Sequence, residues 1–279
     1  MLLTPILSFF TPQSGGSPNA NEIATLYEVT LVIALIIFFT VEGALIYALI
    51  KFRKKKGAVA SQIHGNTQLE TAWTLGAAVI LVALAVFTLI KLPSIQNPPN
   101  SGSGGLSLSS INGEAEPVAS TERRLPPNGK ALKITVVGRQ YIWQYVYPGA
   151  TFKDGLGAPY SYEEMVVPTE TTVSLDIVSL DVVHAWWVPQ LGGKFQAVPG
   201  YNNYTWFKIS KPGVFHGQCA FLCGREHARM IATVRAVPPA QFEAWLAEKR
   251  AQLKEADIAA AVARKHLESA TGAARVESP

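Results

Sequence analysis

Two long apolar runs constrain this chain more than any other feature. Tyr27 to Ile50 is almost wholly apolar, with Glu28 at its start and Glu42 as the ionised exceptions. Ala72 to Ile90 carries no charge and is closed by Lys91. At about 1.5 Å per residue, either run crosses a hydrocarbon core of about 30 Å as a helix. Between them, Lys51 and Arg53 to Lys56 place five positive charges in six residues, which marks a loop held on the cytoplasmic side. A transmembrane helical hairpin over 27–92 follows, with its loop at 51–71 in the cytoplasm and an outer segment at 1–26. Both chain termini then lie on the outer face. Paired core helices of a soluble protein would explain the apolar runs but not the basic knot beside them. The first run starts too late, and lacks the preceding basic stretch, for a cleaved signal.

Two carboxylates in this region are unusual. Glu42 lies within a span, where charge is costly unless it faces protein or water, so the hairpin is expected to pack against a larger membrane partner. Glu70 lies at the cytoplasmic mouth of the second span. It reads either as a solvated interface residue or as a protonatable group at the entrance of a proton route.

The formal net charge of +4 is accounted for by the basic knot. No basic footprint spreads over the rest of the chain, so nucleic acid is excluded as a partner. Membrane lipid is the expected surrounding of the hairpin.

Residues 93–129 form a Pro/Gly/Ser-rich connector, expected to be a flexible linker. From Lys130 the texture changes to short β-branched and aromatic runs. Strands are expected at 131–137, 141–147, 164–167, 171–178, 182–188, 204–209 and 230–237. Turns at Pro148-Gly149, Pro199-Gly200 and Pro212-Gly213 separate some of them. Such a series over 130–238 predicts an all-β sandwich or small barrel. No Gly-rich phosphate loop, zinc-protease motif or Gly-x-Ser-x-Gly elbow occurs. Residues 239–279 form a C-terminal extension, helical from Ala240 to about Ser269 with a break near Ala256-Asp257, then a loose tail. Phe242, Trp245 and Leu246 share one face of that helix.

The chemistry is concentrated in residues 217–230, where Cys219, Cys223, His227 and Met230 follow at intervals of four, four and three. Thiolate, imidazole and thioether together select copper among common biological metals. Gly217 and Gly224 are expected to permit sharp turns around a metal. His184, at the end of a strand, is placed to join the set, whereas His216 reads as surface. Zinc would accept two Cys and two His but has no use for Met230. A mononuclear blue-copper site leaves one Cys without a role. Two coppers bridged by both thiolates, each capped by one histidine and completed by Met230 and a backbone carbonyl, use every group. A bare disulfide is the structural alternative.

With these residues the chain resembles cytochrome c oxidase subunit II of the haem-copper oxidase superfamily, as a divergent bacterial member. The resemblance covers Tyr27 to Pro238 and rests on the Cys-x3-Cys-x3-His-x2-Met loop, its upstream histidine, and Leu69-Glu70-Thr71-Ala72-Trp73 at the second span. It implies a Greek-key, cupredoxin-like sandwich carrying two copper ions as the CuA centre. The implied ligands are His184, Cys219, Cys223, His227, Met230 and the backbone carbonyl of Phe221. The implied partners are subunit I with haems and CuB, subunit III, and cytochrome c or a small copper protein as donor. Glu70 becomes the entrance of a proton route into subunit I, and the location is the bacterial plasma membrane with the copper domain outside.

Three departures qualify the resemblance. Phe221 stands where the family has Glu, whose side chain helps hold Mg or Mn at the subunit I boundary; that ion loses its usual carboxylate here. Gly138-Arg139-Gln140-Tyr141-Ile142-Trp143 replaces Gly-His-Gln-Trp-Tyr-Trp, so Tyr141 takes the place of the tryptophan at which electrons enter, with Trp143 nearby. Gln196-Ala197-Val198-Pro199-Gly200-Tyr201 replaces Asp-Ala-x-Pro-Gly-Arg, weakening charged contacts towards subunit I.

From Pro93 onwards 9 Lys and 9 Arg face 4 Asp and 12 Glu, a surplus of two that gives a basic donor little support. Asp176, Asp181, Glu163 and Glu164 are the residues available for a local acidic patch. Two other readings compete: a membrane-tethered copper-binding or copper-delivery protein without an oxidase partner, and a quinol-oxidase relative. Glu42 and Glu70 argue against the first, and the complete ligand set against the second.

Overall fold

A computed structural model of the chain describes residues 11–53, 62, 64–106, 126, 130–148 and 158–276. Residues 1–10, Lys54, Lys55 and Lys56 of the basic knot, most of the connector from 107 to 129, Gly149 of the first turn, and 277–279 lie outside them.

Helices α1 (Pro18–Lys51) and α2 (Thr67–Gln96) form the hairpin. Pro18 opens α1, where a missing N–H costs nothing. Asn66 caps α2 by accepting from the Leu69 N–H at 3.1 Å, and Glu70 Oε1 reaches back to accept from the Asn66 N–H at 3.2 Å. Both helices run past the apolar stretches that predicted them. At their common end Lys91 meets Glu22 at 2.8 Å. Their flanks carry bare apolar side chains, such as Ile36, Phe39, Leu49, Leu81 and Leu89, which only lipid or a membrane partner can cover.

Ten strands follow, forming two five-stranded sheets. β1 (Leu132–Arg139), β2 (Ile142–Val146), β3 (Tyr160–Tyr162), β5 (Thr172–Ser179) and β8 (Asn203–Lys208) lie in the order β3-β2-β1-β5-β8. β4 (Glu164–Pro168), β6 (His184–Trp187), β7 (Phe195–Ala197), β9 (Gly213–Cys219) and β10 (Ile231–Val237) lie in the order β4-β10-β9-β6-β7. β1 runs parallel to β5 and β4 to β10, while the other pairs are antiparallel. Between the sheets Ile134, Val136, Trp143, Leu175 and Ile177 of one pack with Met165, Val167, Trp186 and Val234 of the other. Burying each such side chain fully contributes about 1.5–3 kcal/mol.

The seven expected strands form, within two residues of their expected ends. β3, β7 and β9 add to them. Gly217 is corrected: it lies inside β9 rather than in a turn, and a Cβ there would run into the Trp187 carbonyl, so it permits β6 to approach. Gly224, at φ +137°, does make the expected turn.

Helix α3 (Pro239–Val276) is unbroken, so the expected break at Ala256-Asp257 is absent and the helix outruns Ser269. Nothing between Leu246 and Ser269 but helix-compatible residues stands in its way, and Ala-rich turns carry it through Asp257. Its first turns dock on the sandwich through buried Phe242 and Leu246, with Trp245 4.9 Å from the Tyr147 ring.

The described start of the connector is tied to the sandwich. Pro99 O accepts from Thr172 Oγ1 at 2.6 Å, Leu106 N donates to Thr171 Oγ1 at 2.8 Å, and Leu106 is buried. The hairpin is tied too: Asn19 Nδ2 donates to Trp206 O at 2.8 Å, and Trp206 Nε1 donates to Ile95 O at 3.1 Å. The sandwich therefore sits at the Pro18 and Gln96 ends of the two helices.

Candidate metal centre

Three turns converge at one end of the sandwich: the β1–β2 turn with Gln140 and Tyr141, the β5–β6 turn with Asp181, and the β9–β10 loop at 219–230. Cys219 ends β9 opposite Trp186, and its N–H donates to Met230 O at 2.8 Å, closing the loop. The Ala220 N–H donates to Ala185 O at 2.9 Å, holding the loop against β6.

Inside this frame the side chains meet. The Cys219 and Cys223 sulfurs are unbonded thiols 3.9 Å apart and buried. His184, fully buried, places Nδ1 3.9 Å from Cys219 Sγ. His227, half-buried, places Nδ1 3.5 Å from Cys223 Sγ. Phe221 O lies 3.3 Å from Cys219 Sγ, while the Phe221 and Leu222 side chains are exposed. Met230 is buried in the same apolar cluster as the two thiols.

The other face of His184 is engaged. Its Nε2 lies 2.9 Å from Asp181 Oδ1, and the Asp181 carboxylate also accepts from the Gln140 and Val182 N–H groups at 2.6 Å each. Burial would raise the Asp181 pKa, but the Gln140 N–H, His184 and the Val182 N–H together hold it below the ordinary carboxylate value. Burial would depress His184, but Cys219 and Asp181 raise it. Burial would raise Cys219 as well, yet hydrogen bonding from His184 and the surrounding backbone brings the thiol down to about 6. Cys223 is pushed up to about 11 by burial and by negative charge on Cys219.

Trp143 is fully buried and sets its indole edge-on to His184, with centroids 5.8 Å apart. Tyr141 is half-buried over the loop, where its Oη accepts from the Arg225 N–H at 3.1 Å. Gln140 Nε2 adds a bond to Cys223 O at 2.7 Å. Tyr141 therefore lies at the surface of this end and Trp143 beneath it. His216 is exposed on β9, as expected. Glu70 lies away from the cluster, at the start of α2, bonded to the Asn66 N–H.

Sequence reasoning missed Asp181 and Gln140 as supports of the cluster; the only signal was Asp181 three residues before His184. The four acids considered for a surface patch are spread over other tasks. Asp176 is buried and pairs with Lys133 at 3.2 Å, Asp181 holds His184, and Glu164 pairs with Arg235 at 2.9 Å.

The donor chemistry fits copper: His184, Cys219 and Cys223 offer ligand atoms within 4.8 Å of one another, and both imidazoles turn Nδ1 towards a thiol. A hairpin of lipid-exposed helices bearing a two-sheet sandwich with this cluster at one end defines a membrane-anchored cupredoxin-like metalloprotein.

Two family models match, the transmembrane domain of cytochrome c oxidase subunit II over residues 7–90 and its periplasmic domain over 159–237. Cytochrome c oxidase subunit 2 of Cereibacter sphaeroides is 31% identical, over 86% of this chain and 82% of that one. A probable cytochrome c oxidase subunit 2 of Rickettsia bellii is 30% identical, over 85% and 82%. The crystal structure of the periplasmic domain of subunit II of cytochrome oxidase from Bradyrhizobium japonicum is 36% identical. It covers 44% of this chain and 97% of that one, with a TM-score of 0.39. The chain belongs to the cytochrome c oxidase subunit II family, and is a membrane subunit of an oxidase with a periplasmic domain.

Proposed function

We propose that this chain is the electron-entry subunit of a respiratory terminal oxidase. It accepts electrons from a cytochrome c or a small copper protein on the outer face. It passes them to a haem-bearing subunit I, which reduces O2 to water coupled to proton translocation, with subunit III as a further partner. His184, Cys219, Cys223, His227, Met230 and the Phe221 carbonyl would hold two copper ions. When bound, such a pair supplies a one-electron acceptor whose charge is shared between two metals, which keeps reorganisation small. The observation that carries this reading is the pair of buried thiols 3.9 Å apart, flanked on opposite sides by the Nδ1 atoms of His184 and His227.

The surrounding residues have separable tasks. Asp181 holds the His184 ring so that Nδ1 faces the thiols. Trp143 closes the space behind His184 and keeps water out. Cys219, held at about 6, is mostly thiolate at neutral pH, whereas Cys223, at about 11, must give up a proton on metal binding. The Phe221 side chain offers no ligand to a hard cation, so Mg or Mn is not held from this position. Tyr141 and Trp143 form the electron-entry region.

In this reading residues 1–26 and 130–279 lie outside, 27–92 span the membrane, and 93–129 link the two. Glu70 stands at the cytoplasmic mouth, its carboxylate kept at the helix start by Asn66.

The test is copper loading of the full-length chain in detergent, with a metal count and electron paramagnetic resonance. Two coppers per chain sharing one unpaired electron are expected. One copper with a mononuclear signature, or none with Cys219 and Cys223 oxidised to a disulfide, would overturn the assignment in favour of a tethered copper-handling protein.

A further inference from the structure

The surface above the metal cluster carries a charge opposite to the one a basic donor needs. Tyr141 is the outermost ring at this end, and guanidinium groups are placed around it. Arg139 immediately precedes the Gln140-Tyr141 turn and is exposed. Arg225 is exposed, and its backbone is bonded to Tyr141 Oη. Arg229 follows in the same loop with its side chain 82% exposed. The turn and loop are stitched together by Gln140 Nε2 on Cys223 O and by the seat of Tyr141 on Gly224, so these positions share one face.

Two carboxylates lie nearby, and neither offers free negative charge. Asp181 is occupied by the Gln140 and Val182 N–H groups and by His184. Glu226 lies 4.0 Å from Arg229. Arg139 and Arg225 thus leave the rim of Tyr141 cationic, while Tyr141 and the exposed Phe221 and Leu222 of the same loop supply apolar contact. Complementary charge at such a rim governs which partner arrives and how fast.

We propose that the partner docking over Tyr141 is a soluble redox protein with an acidic face, met by Arg139, Arg225 and Arg229. This rests on the electron-entry reading given above and names the chemistry of its donor.

The test is equilibrium binding of ferric, lysine-rich cytochrome c and of the same protein succinylated, which turns its lysines into carboxylates. Both are titrated against the full-length chain in an uncharged detergent. At low salt the succinylated form is expected to bind at least about tenfold more tightly, an advantage that fades as salt screens the charges. Lys51 and Arg53 at the opposite end of the hairpin are cationic too, so the decisive arm is the double variant Arg139→Glu/Arg225→Glu. It is expected to lose that preference, with copper content and spectrum unchanged. Tighter binding of the lysine-rich form by the wild type, or a preference untouched by the double variant, would overturn the proposal. Spectra of the same samples separate the two readings. A two-copper signature with the wrong charge preference sinks only this proposal, whereas a missing signature sinks the electron-entry reading and the donor assignment with it.

Discussion

Asp181 Oδ1 and His184 Nε2 lie 2.9 Å apart, and this contact decides which nitrogen of the ring faces the thiols. With Nε2 engaged, Nδ1 is left pointing at Cys219 Sγ, 3.9 Å away. The Asp181 carboxylate is itself fixed by two backbone N–H groups from different turns, so the ring inherits the rigidity of the sandwich.

Asp181→Ala should therefore weaken copper binding without removing a ligand. The outer partner of a metal-binding histidine is worth about 10–100-fold in metal affinity. Competition titration against a copper chelator should show a loss in that range, with two coppers still bound at saturation. An unchanged affinity would mean that packing against Trp143 alone orients His184.

Gly138 sits where β1 passes closest to the cluster. A Cβ there would lie 3.0 Å from Trp143 Cζ3 and 3.1 Å from His184 Cδ2. Both neighbours are fully buried rings, so neither can swing away. Gly138→Ala should cost about 1–3 kcal/mol through overpacking. Chemical denaturation followed by tryptophan fluorescence should show the lower midpoint, and the copper spectrum should broaden as His184 shifts.

The two thiols should titrate far apart in the reduced, metal-free chain. Cys219 is lowered to about 6 and Cys223 raised to about 11, from an ordinary 9.0. Between about 6 and 9 the unfolded chain binds the extra proton at Cys219, so stability rises with pH across that window and is lost as pH falls through 6. Between 9 and 11 the folded chain holds the extra proton at Cys223, so stability falls again as pH rises. Ultraviolet thiolate absorbance should show one step near 6, absent in Cys219→Ser, and a second near 11. A single merged step near 9 would contradict the arrangement.

The two spans, seven strands and the thiol, imidazole and thioether set were legible in the sequence because each rests on a local pattern. Apolar length, alternation and ligand spacing survive without knowledge of the fold. What was not legible depends on contacts distant in the chain. β9 reads as Gly-Val-Phe-His-Gly-Gln-Cys, with too little alternation to declare a strand, and exists because β10 and β6 pair with it. Asp181 looked like surface charge until the β1–β2 turn brought Gln140 to it. The seat of the hairpin is another such case, since Ser17 and Asn19 meet Lys208 and Trp206 almost two hundred residues along the chain.

That seat is open to test. Asn19 is buried, and its side chain donates to Trp206 O while accepting from the Ala20 N–H at 3.0 Å. Asn19→Ala leaves both groups without partners, a loss of about 1–3 kcal/mol that acts on the junction rather than on the sandwich core. Hydrogen exchange should quicken at the start of α1 and along β8 while β1, β5 and β10 keep their protection. Uniform loss of protection would show instead that hairpin and sandwich unfold as one unit.

Phe221 offers the sharpest separation of backbone from side chain. Its carbonyl lies 3.3 Å from Cys219 Sγ, while its ring is exposed beside an exposed Leu222. A role for the carbonyl alone requires that the loop backbone be held by other residues, and it is: by Cys219 N on Met230 O, Ala220 N on Ala185 O and Gln140 Nε2 on Cys223 O. Phe221→Ala should then keep both coppers and their spectrum, and should change stability by no more than about 0.5 kcal/mol, as at other exposed sites. Phe221→Pro alters the backbone instead: it removes the N–H and fixes φ, and should disturb the metal spectrum. If alanine alone cost a copper, the ring rather than the carbonyl would be holding the loop in place.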